Sequence, residues 1–388
     1  MKKFCVFSGF LGAGKTTAMM ALTKYYTAHI APAAMISNDL GEGVTLADHR
    51  LAALSGVKAD EITGECICFC HDVLRARLDA FFDAGCELVC SDIPGFGVGA
   101  LEHVYHGLTA EGRAFDLAPF TVLIEPRSVE ILRARDGGRR AGSSRPAGAD
   151  DAAEDGGRRA GSSRPTGADD APDGDMAHIL RAQLMEADLI VLNKTDLVSP
   201  AQTAQALDFL AGAFPAARVL AISAATGAGL DALCEALRDG AASLRHPAID
   251  YEGDALQGEM GSLSEYYLQY RALVCCDDFD GTAYLADIAA RAQRAVAEAG
   301  GELPHLKLLA WSPDGDFGKA DVLGVGRALV RTRAFARPCV DVAVVLNATA
   351  KCPPAALDAA ITGAAEAASK EYNLEMTVFR HDCFGMGE

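Results

Sequence analysis

The nine residues from Gly9 to Thr17 read GFLGAGKTT, the spacing G-x-x-x-x-G-K-[ST] of a phosphate-binding loop. Such a loop works only between a strand and a helix. The flanks predict both: the apolar run Phe4 to Phe7 reads as a buried strand, and Thr17 to Tyr26 as a helix. Gly9, Gly12 and Gly14 let the backbone bend so that its N–H groups, that of Ala13 included, point inward at phosphate oxygens. Lys15 is expected to neutralise the outer phosphates, and the hydroxyl of Thr16 to hold Mg²⁺. Thr17 opens the helix whose N-terminus faces the anion. This one motif commits the first part of the chain to an α/β fold around a nucleoside triphosphate.

Two further motifs follow strand-like runs. Leu189 to Leu192 ends in Asn193-Lys194-Thr195-Asp196, the N-K-x-D spacing in which the aspartate pairs with two guanine donors and the lysine lies along the base. A carboxylate that accepts two donors is satisfied by guanine and left unpaired by adenine, so the nucleotide is expected to be GTP. Ser223 and Ala224, after a run from Val219 to Ile222, read as the second guanine loop. Leu88 to Ser91 leads into Asp92-Ile93-Pro94-Gly95, a D-x-x-G. There Asp92 is expected to act on Mg²⁺ and the N–H of Gly95 to sense the terminal phosphate. Lys15, Thr16 and Asp92 are therefore the candidate catalytic residues.

Strand-like runs near 4–8, 33–37, 88–92, 120–125, 189–193 and 218–223 alternate with helical stretches, which predicts a mostly parallel sheet with helices on both faces. Residues 1–240 are assigned to this domain. Inside it, 136–154 recur at 155–173 with only three of nineteen positions changed. The repeat has no apolar face, so 136–175 is read as a disordered insertion. A linker is placed at 241–263. Beyond it, at 264–388, a β-α-β-β-α-β alternation predicts a smaller α+β domain of ferredoxin-like type. Its strands are read near 267–276, 305–311, 339–347 and 374–379, with a further one near 326–333.

The formal net charge of −18 argues against a nucleic-acid partner, and no apolar run approaches a membrane span. The Met-Lys-Lys start carries no signal-peptide cleavage region, so a cytoplasmic location is expected. Twelve cysteines in that setting should be mostly reduced. Cys66, Cys68 and Cys70 alternate; in an extended strip they would share one side, with Ile67 and Phe69 buried opposite. Three thiolates so placed could hold a soft transition metal, whereas a half-buried strand using cysteine as a small apolar residue would look the same. No fourth ligand can be assigned among His71, His103 and His106, the last two read as sharing a helix face. Cys275-Cys276 reads as a strand end and His381-Asp382-Cys383 as a tail.

Taken together, the chain resembles the CobW/HypB/UreG family of metallochaperone GTPases, and within it the CobW-like, cobalamin-synthesis branch. The resemblance rests on GFLGAGKTT (9–17), NDLG (38–41), GECICFC (64–70), DIPG (92–95), the stretch 116–124 and NKTD (193–196). It implies a slow GTPase, below about 1 s⁻¹ without a partner. Its nucleotide state would control capture of Zn²⁺ or Co²⁺, or of a corrinoid, and delivery to a client metalloprotein or corrinoid protein. A homodimer is compatible with it. Three features depart from the family pattern: C-x-C-x-C replaces C-x-C-C, Glu65 stands where Gly is frequent, and Asp92 replaces Glu. Two other readings remain: an assembly or reactivation factor for a corrinoid protein with structural cysteines, and a regulatory GTPase without metal.

Overall fold

Lys3–Gly9, every side chain buried, forms β1 at the centre of a parallel sheet. The computed structural model describes residues 2–41, 47–110, 114–142, 176–274 and 277–387. After β1 come α1 (Lys15–His29), β2 (Ala33–Asp39), α2 (Ala47–Leu54), β3 (Ala59–Thr63), α3 (His71–Asp83) and β4 (Leu88–Asp92). A π-helical turn, Leu101–His106, leads into α4 (Gly107–Ala110), β5 (Asp116–Leu117), β6 (Thr121–Ile124) and α5 (Pro126–Gly142). Then follow α6 (Ala177–Glu186), β7 (Leu189–Leu192), α7 (Pro200–Ala213), β8 (Arg218–Ala221), α8 (Leu230–Asp239) and α9 (Asp254–Gly261).

The strand order is β3-β2-β4-β1-β6-β7-β8, with β5 also beside β1, and every pairing is parallel. Helices cover both faces, which is why β1, β4, β6 and β7 are continuous buried runs rather than alternating ones. Sequence reading missed β3, whose pattern is only half buried at this edge. Helix α5 also corrects the reading of 136–142 as disordered. Val129 and Leu132 anchor it in the core, and extending a helix already nucleated costs little. The rest of the repeat, like Cys275-Cys276, lies outside the described residues.

The second sheet contains β9 (Ser264–Val274), β10 (Glu302–Trp311), β11 (Phe317–Leu323), β12 (Val330–Arg333), β13 (Asp341–Lys351) and β14 (Leu374–Gly385). Its helices are α10 (Gly281–Glu298) and α11 (Pro354–Glu371). The antiparallel order is β12-β11-β10-β13-β9-β14, so the β-α-β-β-α-β core is extended at one edge by a hairpin. His381-Asp382-Cys383 is not a tail: β14 continues through it, paired with β9.

Alternation along these strands splits the sheet into two unlike faces. Tyr266, Leu268, Leu306, Leu308, Val344 and Leu346 pack under α10 and α11. The opposite face carries Glu265, Tyr267, His305, Lys307, Lys319, Asp321, Asn347 and Thr349, and it closes over the C-terminal edge of the parallel sheet. Helix α2 is wedged at that junction, with Ala47 buried against Leu309, Phe317 and Val345. Among the described residues no helix is long and apolar enough to cross a membrane.

Candidate functional site

A cavity of about 550 Å³ lies where the phosphate-binding loop meets the polar face of the second sheet. Its size suits a nucleotide. Gly12 and Gly14 adopt φ of 78° and 91°, the left-handed region. A Cβ at Gly14 would come within 2.5 Å of Asn193 Nδ2, so only glycine admits the approach of the two loops. Asn193 Nδ2 donates to Ala13 O at 3.0 Å, while its Oδ1 accepts from Ala224 N at 3.0 Å. One asparagine thus fixes three of the sequence motifs to one another. Lys194, itself at φ 62°, holds Glu125 at 2.7 Å. Ser223 donates to Asp196 Oδ1 at 2.6 Å, and Asp196 is exposed at the cavity rim. Lys15 Nζ turns back to Gly9 O at 2.6 Å, and Thr17 is exposed at the opening.

The phosphate end is dense with charge. The Thr16 hydroxyl donates to Asp48 Oδ2 at 2.5 Å, and Lys307 Nζ of β10 reaches the same oxygen at 2.6 Å. The Tyr267 hydroxyl of β9 donates to Asp39, and the N–H of Asn38 donates to Asp92 Oδ1 at 3.0 Å. Five acids (Asp39, Asp48, Asp92, Glu265 and Asp321) thus face three lysines, Lys15, Lys307 and Lys319. Burial pulls Lys15 down to about 8 and, with Asp48 nearby, pushes Asp92 up to about 7. Burial likewise raises Asp39 and, helped by Asp39, Glu265. Burial opposes ionisation of Asp48 too, but Lys307 overrides it and holds the carboxyl below its usual range. His305, desolvated among these lysines, is kept neutral.

The excess of acids over lysines fits a divalent cation. So do the orphaned atoms: Asp48 Oδ1, Glu265 Oε1, Asp321 Oδ1 and both polar atoms of the Asn347 amide are buried without a hydrogen bond. Unpaired buried polar groups of this number call for a polar ligand. Thr16 and Asp92 both line the cavity. Asp48, Lys307, Glu265 and Tyr267 were not found, because neither α2 nor the second sheet carries a local motif for this chemistry.

The segment after Asp92 is held from α6. Gln183 Nε2 donates to Gly95 O at 3.1 Å and to Gly97 O at 2.9 Å, and Glu186 Oε1 accepts from Gly99 N at 2.5 Å. Gly95 packs so tightly on Leu11 that a Cβ would approach it to 2.5 Å. Burial pushes Glu186 up to about 7.

The cysteine strip is a turn rather than an extended segment, closed by Phe69 N donating to Cys66 O at 2.9 Å. Ile67 is fully buried as expected, but Phe69 is 68% exposed. The turn brings the sulfurs of Cys66 and Cys68 to 3.0 Å, whereas Cys70 Sγ faces the Cys66 carbonyl at 3.4 Å. The Cys68 hydrogen bond lowers the Cys66 thiol; the same contact and burial raise Cys68, and burial raises Cys70 to about 11. Asn38 clamps the turn: its Nδ2 donates to Ile62 O and Glu65 O at 3.1 and 2.8 Å, and its Oδ1 accepts from Ile67 N at 3.0 Å. The residue whose backbone meets Asp92 therefore holds the cysteines.

His103 and His106 do not act as a pair. The π-helical turn aligns residues four or five apart instead of three, so the His103 ring meets Phe69 at a tilt while His106 faces Glu102. His71 opens α3, its ring against Gly107.

Residues 3–86 match the family model described as CobW/HypB/UreG, nucleotide-binding domain. No curated protein matches the chain. Among solved structures, the hydrogenase maturation factor HypB of Archaeoglobus fulgidus is similar at 17% identity and TM-score 0.37, over 61% of this chain and 89% of its own. Nickel-bound HypB of Helicobacter pylori is similar at 14% identity and TM-score 0.39, over 62% of this chain and 89% of its own. The Zn(II)-bound YjiA GTPase of E. coli overlaps 93% of this chain and 98% of its own, at 14% identity and TM-score 0.33. Likeness this distant says nothing of activity.

Proposed function

We propose that the chain is a GTPase of the CobW/HypB/UreG family, whose nucleotide-binding domain it matches over residues 3–86, and that it couples its nucleotide state to capture and delivery of a metal. It binds and hydrolyses GTP. The observation that carries this reading is the joining, by Asn193, of the phosphate loop to both guanine loops around one cavity. Within it, the backbone N–H groups of 12–16 and Lys15 receive the phosphates. Asp196, one oxygen fixed by Ser223, offers the other to the guanine edge.

Thr16 and Asp92, with Asp48 beside them, would hold Mg²⁺, which supplies charge neutralisation on the outer phosphates. Thr16 can take that role while still donating to Asp48, because an ion uses a lone pair of the hydroxyl oxygen and not its proton. Lys307 has a choice between Asp48 and the triphosphate, so the second domain takes part in sensing what fills the cavity. Catalysis is mainly electrostatic, from Lys15 and the loop N–H groups, in a site that the second sheet screens from water. Intrinsic turnover is expected to be slow, as unassisted GTP hydrolysis is.

Cys66 and Cys68 form the seat for the cargo metal, zinc or cobalt, the latter free or as a corrinoid. A shared proton between two sulfurs 3.0 Å apart leaves one thiol easily ionised, as a soft-metal ligand needs. Asn38 links this seat to Asp92, so ordering at the phosphates is felt by the cysteines, and hydrolysis releases the metal to a client protein. The stretch 116–124 favours the CobW-like branch. Substituting Asp196→Asn tests the nucleotide: GTP binding should weaken by at least tenfold while xanthosine triphosphate gains, and equal loss for both overturns the GTP assignment. Zn²⁺ and Co²⁺ dialysis of Cys66→Ser/Cys68→Ser, with a non-hydrolysable GTP analogue, tests the cargo; unchanged uptake at a cysteine-type site overturns it.

A further inference from the structure

Away from the cavity, three ligand-type side chains converge that neither the nucleotide nor the cysteine turn uses. Glu102 and His106 lie on the π-helical turn, and His246 comes from the stretch between α8 and α9. One ligand atom from each lies within 4.8 Å of the other two. Glu102 Oε2 is 2.9 Å from His246 Nδ1 and 3.8 Å from His106 Nδ1, and the two imidazole centroids are 4.4 Å apart.

We propose that Glu102, His106 and His246 form a second binding site, for a borderline divalent transition ion such as Zn²⁺, Co²⁺ or Ni²⁺. The donor set is two imidazoles and a carboxylate, the set such ions take when positions are left open. Around a tetrahedral ion with bonds of about 2.0–2.1 Å, donor atoms stand about 3.3 Å apart. The contacts with Glu102 bracket that spacing, so small rotations bring the donors to an ion. The lack of sulfur separates this site chemically from Cys66 and Cys68.

Two observations set the cluster apart from a chance surface ion pair. The first is His106. Its Nε2 is buried without a hydrogen bond, and its Nδ1 is too far from Glu102 for one. Coordination would give Nδ1, the nitrogen turned toward Glu102, the partner it lacks. The second is how the cluster is built. The π-helical winding places Glu102 and His106 in register across one turn, and such insertions recur at functional sites. His246 is presented by a braced segment. Its neighbour Arg245 donates to Met185 O at 2.8 Å and to Ala187 O at the end of α6, and Tyr251 donates to Glu186 at 2.7 Å.

His246 remains 72% exposed, so the fourth position faces solvent and the ion can exchange. The location has a consequence. Glu102 and His106 follow the D-x-x-G segment, and His246 lies on the chain leading to the second domain, so a bound ion staples the one to the other. The tilted contact of His103 with Phe69 puts the cysteine turn against the same π-helical turn.

The test uses the full chain with Cys66, Cys68 and Cys70 all changed to Ser, in equilibrium dialysis against Zn²⁺ and then Co²⁺. One equivalent should remain, with a cobalt spectrum that lacks thiolate charge-transfer bands. Adding His246→Ala, or separately Glu102→Gln, should weaken it at least tenfold while circular dichroism melts stay unchanged. Absence of metal uptake by the serine variant overturns the site, and so does uptake indifferent to both substitutions. GTP turnover and cysteine-dependent uptake are measured apart from these, so their failure is distinguishable from failure here.

Discussion

The cavity is closed by two walls made in opposite ways. The parallel-sheet wall is a series of short motifs at strand ends, each fixed by its own backbone: Gly12 and Gly14 in left-handed conformations, Asn193 bonded to Ala13 and Ala224, Asp196 to Ser223. The antiparallel wall has no motif. It is the alternate side of β9, β10, β11 and β13, where Glu265, His305, Lys307, Lys319 and Asn347 stand in rows because strand side chains alternate. The first wall is organised to meet a ligand by itself. The second acquires its meaning only from what it is pressed against, and Lys307 on Asp48 is the clearest contact between them.

Removing the cation of the first wall should have the largest effect. Lys15→Ala is expected to cut GTP turnover by about 10²–10³, the loss typical of a single preorganised charge, as read in a phosphate-release assay. The contact between walls comes next. Lys307→Ala leaves Asp48 buried without its main counter-charge and should cost about 3 kcal/mol in denaturant unfolding. The Asp48→Ala/Lys307→Ala pair should lose less than the sum of the single changes. Strict additivity would mean that the walls do not communicate through this pair.

Asn38→Ala keeps the backbone bond to Asp92 but removes two side-chain bonds to the cysteine turn and one to β3. A loss of about 2 kcal/mol is expected, with faster alkylation of Cys68 than in the parent protein. An unchanged thiol reactivity would show that the turn holds its own shape.

The smallest effect is one of pH. Glu186 has a folded pKa raised by burial to about 7, above its unfolded value, so its protonated form stabilises the fold. That contribution is complete below about pH 4.5 and is lost as pH rises through about 7. Glu186→Gln should therefore be more stable than the parent by about 1–2 kcal/mol at pH 8, with the gap closing at pH 5. A gap that does not change with pH would place the cost of Glu186 elsewhere.

Legibility followed the same division. The order of strands and helices in the parallel domain was readable because buried parallel strands are continuous apolar runs bounded by polar turns, as at Leu189–Leu192. The β-α-β-β-α-β core was readable from its two long helices. The cysteine turn was misread as extended because alternation is the default for a short run, whereas here Asn38, distant in sequence, folds it. His106 was paired with His103 on the assumption of an α-helix, and the π-helical turn gave it Glu102 instead.

By itself, the sequence determined the phosphate loop, the motifs at 193–196 and 223–224 and the alternation that makes each strand two-faced, because these depend on residues within a few positions of one another. Only the tertiary structure decided that the polar face of the second sheet is buried over the cavity rather than bathed in water. It also decided that Lys307 meets Asp48 and that His246 meets Glu102. The reason is physical: contacts across 259 and 144 positions are set by how two finished surfaces pack, and no local propensity encodes them.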